Sequence, residues 1–183
     1  MASARARRAK GRAKQPHTNS IQVRPARASD LRAIAQIGSA SFSGLRPLAA
    51  GRRWVRACWA ARPRMRYWTA SRGGRIVGYI LWMEKGGFRP QAVIELEQIA
   101  VATELRGQGI GGVLVQQSLQ QLSAEMSASG RRVKVIEVTT GSEQGAIDFY
   151  RRVLGAEIVA TIPDVFRGDE YLLIARPLSL KRG

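Results

Sequence analysis

The stretch VATELRGQGIGGVLVQQS, residues 101–118, carries four glycines within six positions: Gly107, Gly109, Gly111 and Gly112. Arg106 precedes them, and apolar residues at helical spacing follow from about Gly109 to Ser127. Backbone without Cβ atoms lets a ligand come close, and the first amides of a helix point outward at its positive end. With the Arg106 guanidinium and the Gln108 and Ile110 amides beside them, these residues are composed to hold a phosphate. The same glycines could instead form a turn that only packs a helix on a sheet. Gly107, Gly109 and Gly112 also satisfy G-x-G-x-x-G, but a dinucleotide fingerprint needs an acidic residue about 20 positions on. That region holds Arg131 and Arg132. A P-loop needs Lys-Ser/Thr after its last glycine, and none is present.

Outward from this stretch the chain alternates short β patterns with helical ones. IQVRPA predicts a strand. SDLRAIAQIGSASF predicts a helix with Ser29 as N-cap, and a second helix runs from about Leu48 to Ala60 and stops at Pro63. Trp54, Val55, Cys58 and Trp59 form one face of that second helix. MRYWTAS and RIVGYILWME read as strands joined by a hairpin at RGG, and AVIELEQIAV as the next strand. After the glycine-led helix, Gly130 closes it, VKVIEV is a strand, SEQGAIDFYRRVL a helix ended by Gly155, and EIVATI and EYLLIAR the last strands. The expected class is α/β: a mixed, mostly antiparallel sheet of six to seven strands flanked by about four helices.

The chain has 183 residues, which suits one domain at 21–178 between a basic tail at 1–20 and a short C-terminal tail at 179–183. One cysteine, Cys58, and one histidine, His17, leave no disulfide, no Cys/His zinc site and no His-dependent triad, so no metal is expected. Cys58 reads as a small core residue. No apolar run is long enough to span a bilayer, and the start lacks the apolar core of a signal peptide. The expectation is a cytoplasmic protein without a membrane partner.

Net charge is +17. Residues 1–29 hold eight Lys/Arg and no acid; from Asp30 on, 22 Lys/Arg face all 13 acids. Such a field attracts polyanions: phosphorylated cofactors, nucleic acid or ribosomes. A solvated surface from a compositionally biased genome explains 25 arginines against 5 lysines equally well. The tail reads as disordered; its Arg-rich, acid-free composition also fits a nucleic-acid or ribosome tether, or an organelle transit peptide. Interleaved Arg and Trp in RRWVRACWAARPRMRYW, residues 52–68, offers faces on which bases could stack.

IAVATELRGQGIGGVLVQQSL resembles the acetyl-CoA-binding core of the GCN5-related N-acetyltransferases (GNAT). Their Q/R-x-x-G-x-G/A pattern is met by Arg106, Gly109 and Gly111. A preceding IAV strand, a long helix, a further strand and an A-x-x-F-Y helix ending in LGA supply the context. The resemblance covers about residues 21–176 and extends to the RimI-like branch through Glu137 as it does to the histone-acetylating branch through Glu95. It implies that loop amides hold the pyrophosphate of acetyl-CoA and that the pantetheine arm pairs with the strand at Ile99, Ala100 and Val101. Family members often carry Asn where this chain has Glu143, three residues before Ala146, which puts that contact to the pantetheine arm in doubt. The resemblance further implies an amine acceptor, and dimers are frequent in the family.

Acetyl transfer needs a neutral amine. A lysine amine is neutral about once in 2,500 molecules at pH 7, an α-amine about once in seven. A base therefore helps, and an acid helps the departing thiolate. The resemblance assigns the acid to Tyr150, after Phe149. For the base, Glu95 matches the histone-acetylating branch and Glu137 the branch that acetylates protein N-termini. Glu97 shares a face with Glu95 by strand alternation, and a partly buried pair of carboxylates raises the pKa of one member. Each of the three also fits an exposed strand position or an ion pair to an arginine. The acceptor is expected to be a protein N-terminus or lysine. The alternatives are a small amine and a non-enzymatic acyl-CoA-binding module.

Overall fold

The computed structural model describes residues 20–87, 89–142, 144–166 and 168–176. The expected tails and Glu143 therefore lie outside the described residues. Seven strands and four helices follow one another as β1 (Gln22–Pro25), α1 (Leu31–Ser41), α2 (Leu48–Ala60), β2 (Met65–Arg72), β3 (Arg75–Lys85), β4 (Gln91–Val101), α3 (Ile110–Ala128), β5 (Arg132–Gly141), α4 (Gln144–Leu154), β6 (Glu157–Ile162) and β7 (Glu170–Ala175). The sheet order is β1-β2-β3-β4-β5-β7-β6, and only β4 and β5 run parallel.

Local chemistry explains the element boundaries. Gly73 and Gly74, both at positive φ, make the β2–β3 hairpin. Gly130 and Gly155, at φ 72° and 62°, end α3 and α4. At the start of α1 the expected Ser29 cap is replaced by Asp30. Its carboxylate accepts a 2.8 Å hydrogen bond from the Arg27 amide and a 2.7 Å ion pair from Arg24. Burial pushes the Asp30 carboxyl up, but these two donors outweigh it and hold it below its ordinary value.

Helices cover both faces of the sheet. On one face α1 and α2 seal a cluster of Ile34, Val55, Cys58, Tyr67, Tyr79 and Leu81. On the other, α3 and α4 pack Leu114, Leu122 and Ile147 onto Trp68, Ile80, Trp82, Ile94 and Ile136. With both faces covered, the middle of β3 (Val77–Trp82) is apolar and buried without alternation. Trp82 keeps its indole N–H satisfied in this core by donating to Ser118 Oγ at 2.9 Å. On α2 the face read from sequence divides. Val55 and Cys58 are buried, and Trp54 turns to solvent.

Two irregularities in β4 position the site. Opposite Leu81 and Trp82 the register of β4 slips from Gln98 to Leu96, so Glu97 is an extra residue in a β-bulge. Ahead of the bulge Ala92, Ile94 and Leu96 face the α3 side; beyond it Ile99 and Val101 take that side and Ala100 points to the α1 side. The second irregularity is a fork. The β4–β5 ladder ends at the Glu95–Glu137 pair, and β5 continues to Gly141 alongside β7 alone.

Candidate active site

A cavity of about 530 Å³ opens where β4 and β5 part. Its wall includes Ile99, Ala100 and Val101 of β4, Leu105, Arg106, Gly107 and Gly109, the first turn of α3 at Ile110, Gly111 and Gly112, and Phe149, Arg152 and Val153 of α4. Nine of the ten described residues expected at a phosphate-bearing ligand thus share one wall. Gln108 does not. Its side-chain oxygen accepts a 2.9 Å hydrogen bond from Arg72 at the end of β2.

The glycines divide by role. Gly107 and Gly109 have φ of 76° and 77°, with nothing within 4 Å of where a Cβ would stand. They turn the chain into α3 and leave open space above the loop. Gly111 instead allows close packing, since a Cβ there would come within 3.2 Å of the Phe149 ring. The first backbone bond closing α3 runs from Val113 to Gly109, which leaves the amides of Ile110, Gly111 and Gly112 without helical acceptors. Arg106 crosses the loop, donating from Nε to the Val101 carbonyl at 3.2 Å and from a terminal nitrogen to Ser41 Oγ at 2.9 Å.

At the fork the three carboxylates separate. Lys85 Nζ lies 2.6 Å from Glu137 Oε1 and 3.0 Å from Glu95 Oε2, tying the two together. Burial pulls the Lys85 ammonium down, but the hydrogen bonds to Glu137 and Glu95 outweigh it and hold it above its ordinary value. Glu97 has no such tie. Burial raises its carboxyl, and the neighbouring Glu95 charge adds to the effect. Lys85 was not among the expected site residues; nothing local in the sequence sets it apart from Lys134 of β5, because its partner Glu137 lies 52 positions away.

Tyr150 lies on α4 with its ring edge-on to Phe149, centroids 5.3 Å apart. It is half-buried beside the core, not in the cavity wall formed by its neighbours, and burial pushes its hydroxyl up to about 12. It stays protonated throughout the neutral range. Cys58 is buried, and burial pushes its thiol up, so it is a poor nucleophile. Among the described residues no group of three His, Cys, Asp or Glu side chains is arranged to hold a metal, and no helix is long and apolar enough to cross a membrane.

A family model described as Acetyltransferase (GNAT) family matches residues 31–156. No curated protein sequence matches the chain at a significant level. Solved structures do. Arabidopsis thaliana NAA60 in complex with acetyl-CoA superposes with a TM-score of 0.67 at 16% identity, over 86% of this chain and 99% of that one. The ribosomal-protein-S18-alanine N-acetyltransferase of Escherichia coli gives 0.64 at 17%, over 86% and 94%. A spermidine N-acetyltransferase of Vibrio cholerae gives 0.66 at 15%, over 85% and 93%.

Proposed function

The chain belongs to the acetyltransferase (GNAT) family, and from that premise we propose that it transfers an acetyl group from acetyl-CoA to a primary amine, foremost a protein N-terminus. The observation that carries the proposal is the fork: where β4 and β5 part, a cavity opens onto a loop of outward-pointing amides, and the last paired position of the two strands, which does not itself line that cavity, is Glu95–Glu137. The residues fit the ligand. Open space over Gly107 and Gly109 and three amides without helical acceptors suit a pyrophosphate, and the Ile99–Val101 edge, released from β5, suits an extended amide arm.

When bound, acetyl-CoA supplies a thioester whose carbonyl carbon accepts the amine and whose sulfur leaves. Glu137 takes a proton from the incoming ammonium, directly or through water. Tyr150, protonated throughout the neutral range, gives its proton to the departing sulfur, and the second proton that the nitrogen sheds as the amide forms returns to the phenolate. Lys85 holds Glu95 and Glu137 at the apex. Because Lys85 already pairs with both carboxylates, the fork is poorly matched to a polycation such as spermidine. An α-amine is also the easier acceptor, being neutral about once in seven molecules at pH 7.

The test offers the protein acetyl-CoA with peptides bearing a free α-amine, the same peptides N-blocked with an internal lysine, and spermidine. Transfer to the free α-amine, reduced by about 10² or more in Tyr150→Phe and Glu137→Gln, is the expected result. Binding of acetyl-CoA with no transfer to any amine would overturn it and leave a ligand-binding module.

A further inference from the structure

The net charge is not spread along the chain. Residues 1–66 hold 16 Lys/Arg and a single acid, Asp30, whereas residues 67–183 hold 14 against 12. So +15 of the +17 belongs to the first third. A compositional bias toward arginine acts on the whole sequence and does not by itself predict this polarity.

Within the folded part of that segment, a second cavity of about 460 Å³ is lined by Ala28, Ser29, Leu31, Arg32, Arg52 and Arg56. Arg52 and Arg56 stand one turn apart on α2, and Arg32 faces them from the first turn of α1. Like charges at this helical spacing repel. Among the described residues no carboxylate pairs with any of the three, although other arginines of the fold do find acidic partners. Over the exposed crest of α2 stands Arg53, and on the helix's other flank Trp54 shows 45% of its surface. Farther along, the Arg62 guanidinium stacks 3.7 Å over the Trp59 ring.

We infer that this α1–α2 cleft is a nucleic-acid-binding site that grips the phosphate backbone. Guanidinium forks match phosphate oxygens, and three of them around a concave surface neutralise adjacent phosphates better than scattered lysines would. Trp54 lies on the opposite flank of α2, past the exposed Arg53, so a strand that crosses the helix from the cleft reaches its indole as a stacking face, which an acidic peptide does not need. Binding here is independent of acetyl transfer, because none of these residues lines the fork.

The test measures anisotropy of labelled oligouridine with the full-length protein across a salt series. The parent is expected to bind RNA at about 0.15 M salt. The triple variant Arg32→Ala/Arg52→Ala/Arg56→Ala should bind at least tenfold more weakly, with a log–log salt slope shallower by about 2. Arg32→Lys/Arg52→Lys/Arg56→Lys should keep most of that slope. Neutralising the exposed Arg132, Lys134 and Arg176 instead controls for net charge and should have a much smaller effect. Equal losses in both neutralised triples would overturn the site. So would polyglutamate binding as tightly as RNA, or no RNA binding by the parent.

Discussion

At the scale of single residues, the site is governed by how charge is shared at the fork. Lys85 sits between Glu95 and Glu137 and pairs with both. Lys85→Met leaves two carboxylates facing each other, and a like-charged pair retains a proton to higher pH. The acid limb of the kcat/KM profile should move upward in that variant and stay in place in Lys85→Arg. An unchanged profile in the methionine variant would show that Lys85 does not position the base. Glu97 offers the opposite case. Its raised carboxyl means that the folded state binds a proton more tightly than the unfolded state, so stability falls as pH rises above the ordinary glutamate value of 4.5. Glu97→Gln should therefore raise Tm at pH 7, by an amount that shrinks to nothing in acid. Glu95 and Glu137 were legible through the family resemblance, and Glu97 through strand alternation, a local rule that sets it on the face of Glu95. Lys85 was not, since its contact to Glu137 spans 52 positions of chain.

At the scale of elements, the loop into α3 combines two different demands on glycine. Gly109→Ala meets no atom but must hold φ near 77°, a left-handed conformation that costs an alanine about 1–2 kcal/mol. Gly111→Ala is in ordinary helical backbone, yet its new methyl meets the Phe149 ring at 3.2 Å, and that ring on α4 must give by a few tenths of an ångström. Chemical unfolding should show the first variant destabilised by roughly that backbone cost. The second should be separated from it by reduced protection of α4 amides in hydrogen exchange. Helices and hairpins were legible because caps, glycine turns and periodicity are written in neighbouring residues. The Ser29 cap was misplaced by one position because Asp30 recruits Arg24, a tertiary partner. The bulge at Glu97 was invisible for the same reason, being defined by its register with β3.

At the scale of the whole molecule, the sheet is two blocks, β1–β4 and β5-β7-β6, joined by a parallel ladder of five paired positions. A ligand lodged in the cavity contacts β4 and the start of α3 on one side and α4, which links β5 to β6, on the other, so acetyl-CoA should stabilise the domain as one unit. At 100 times its dissociation constant the gain is about 2.7 kcal/mol. For a domain of this size that is a rise in Tm of about 5–11 °C. Acetyl-CoA should produce it and NAD should not; a rise with NAD alone would overturn the reading of the glycine loop. The class of fold was legible from the order of elements. The placing of β7 between β5 and β6 was not, because strand order is decided by long-range pairing.

That placing has a consequence for how the protein comes into being. β5 and β6 are made before β7, and neither pairs with the other: each has β7 as its neighbour. While the polypeptide is still emerging from the ribosome, the inner edge of β5, including the backbone at Glu137, stays without its antiparallel partner until residues 170–175 have cleared the exit tunnel. The nascent protein can assemble β1 to β4 and their helices early, but the strand that carries Glu137 gains its second neighbour only with β7, the last described strand to arrive.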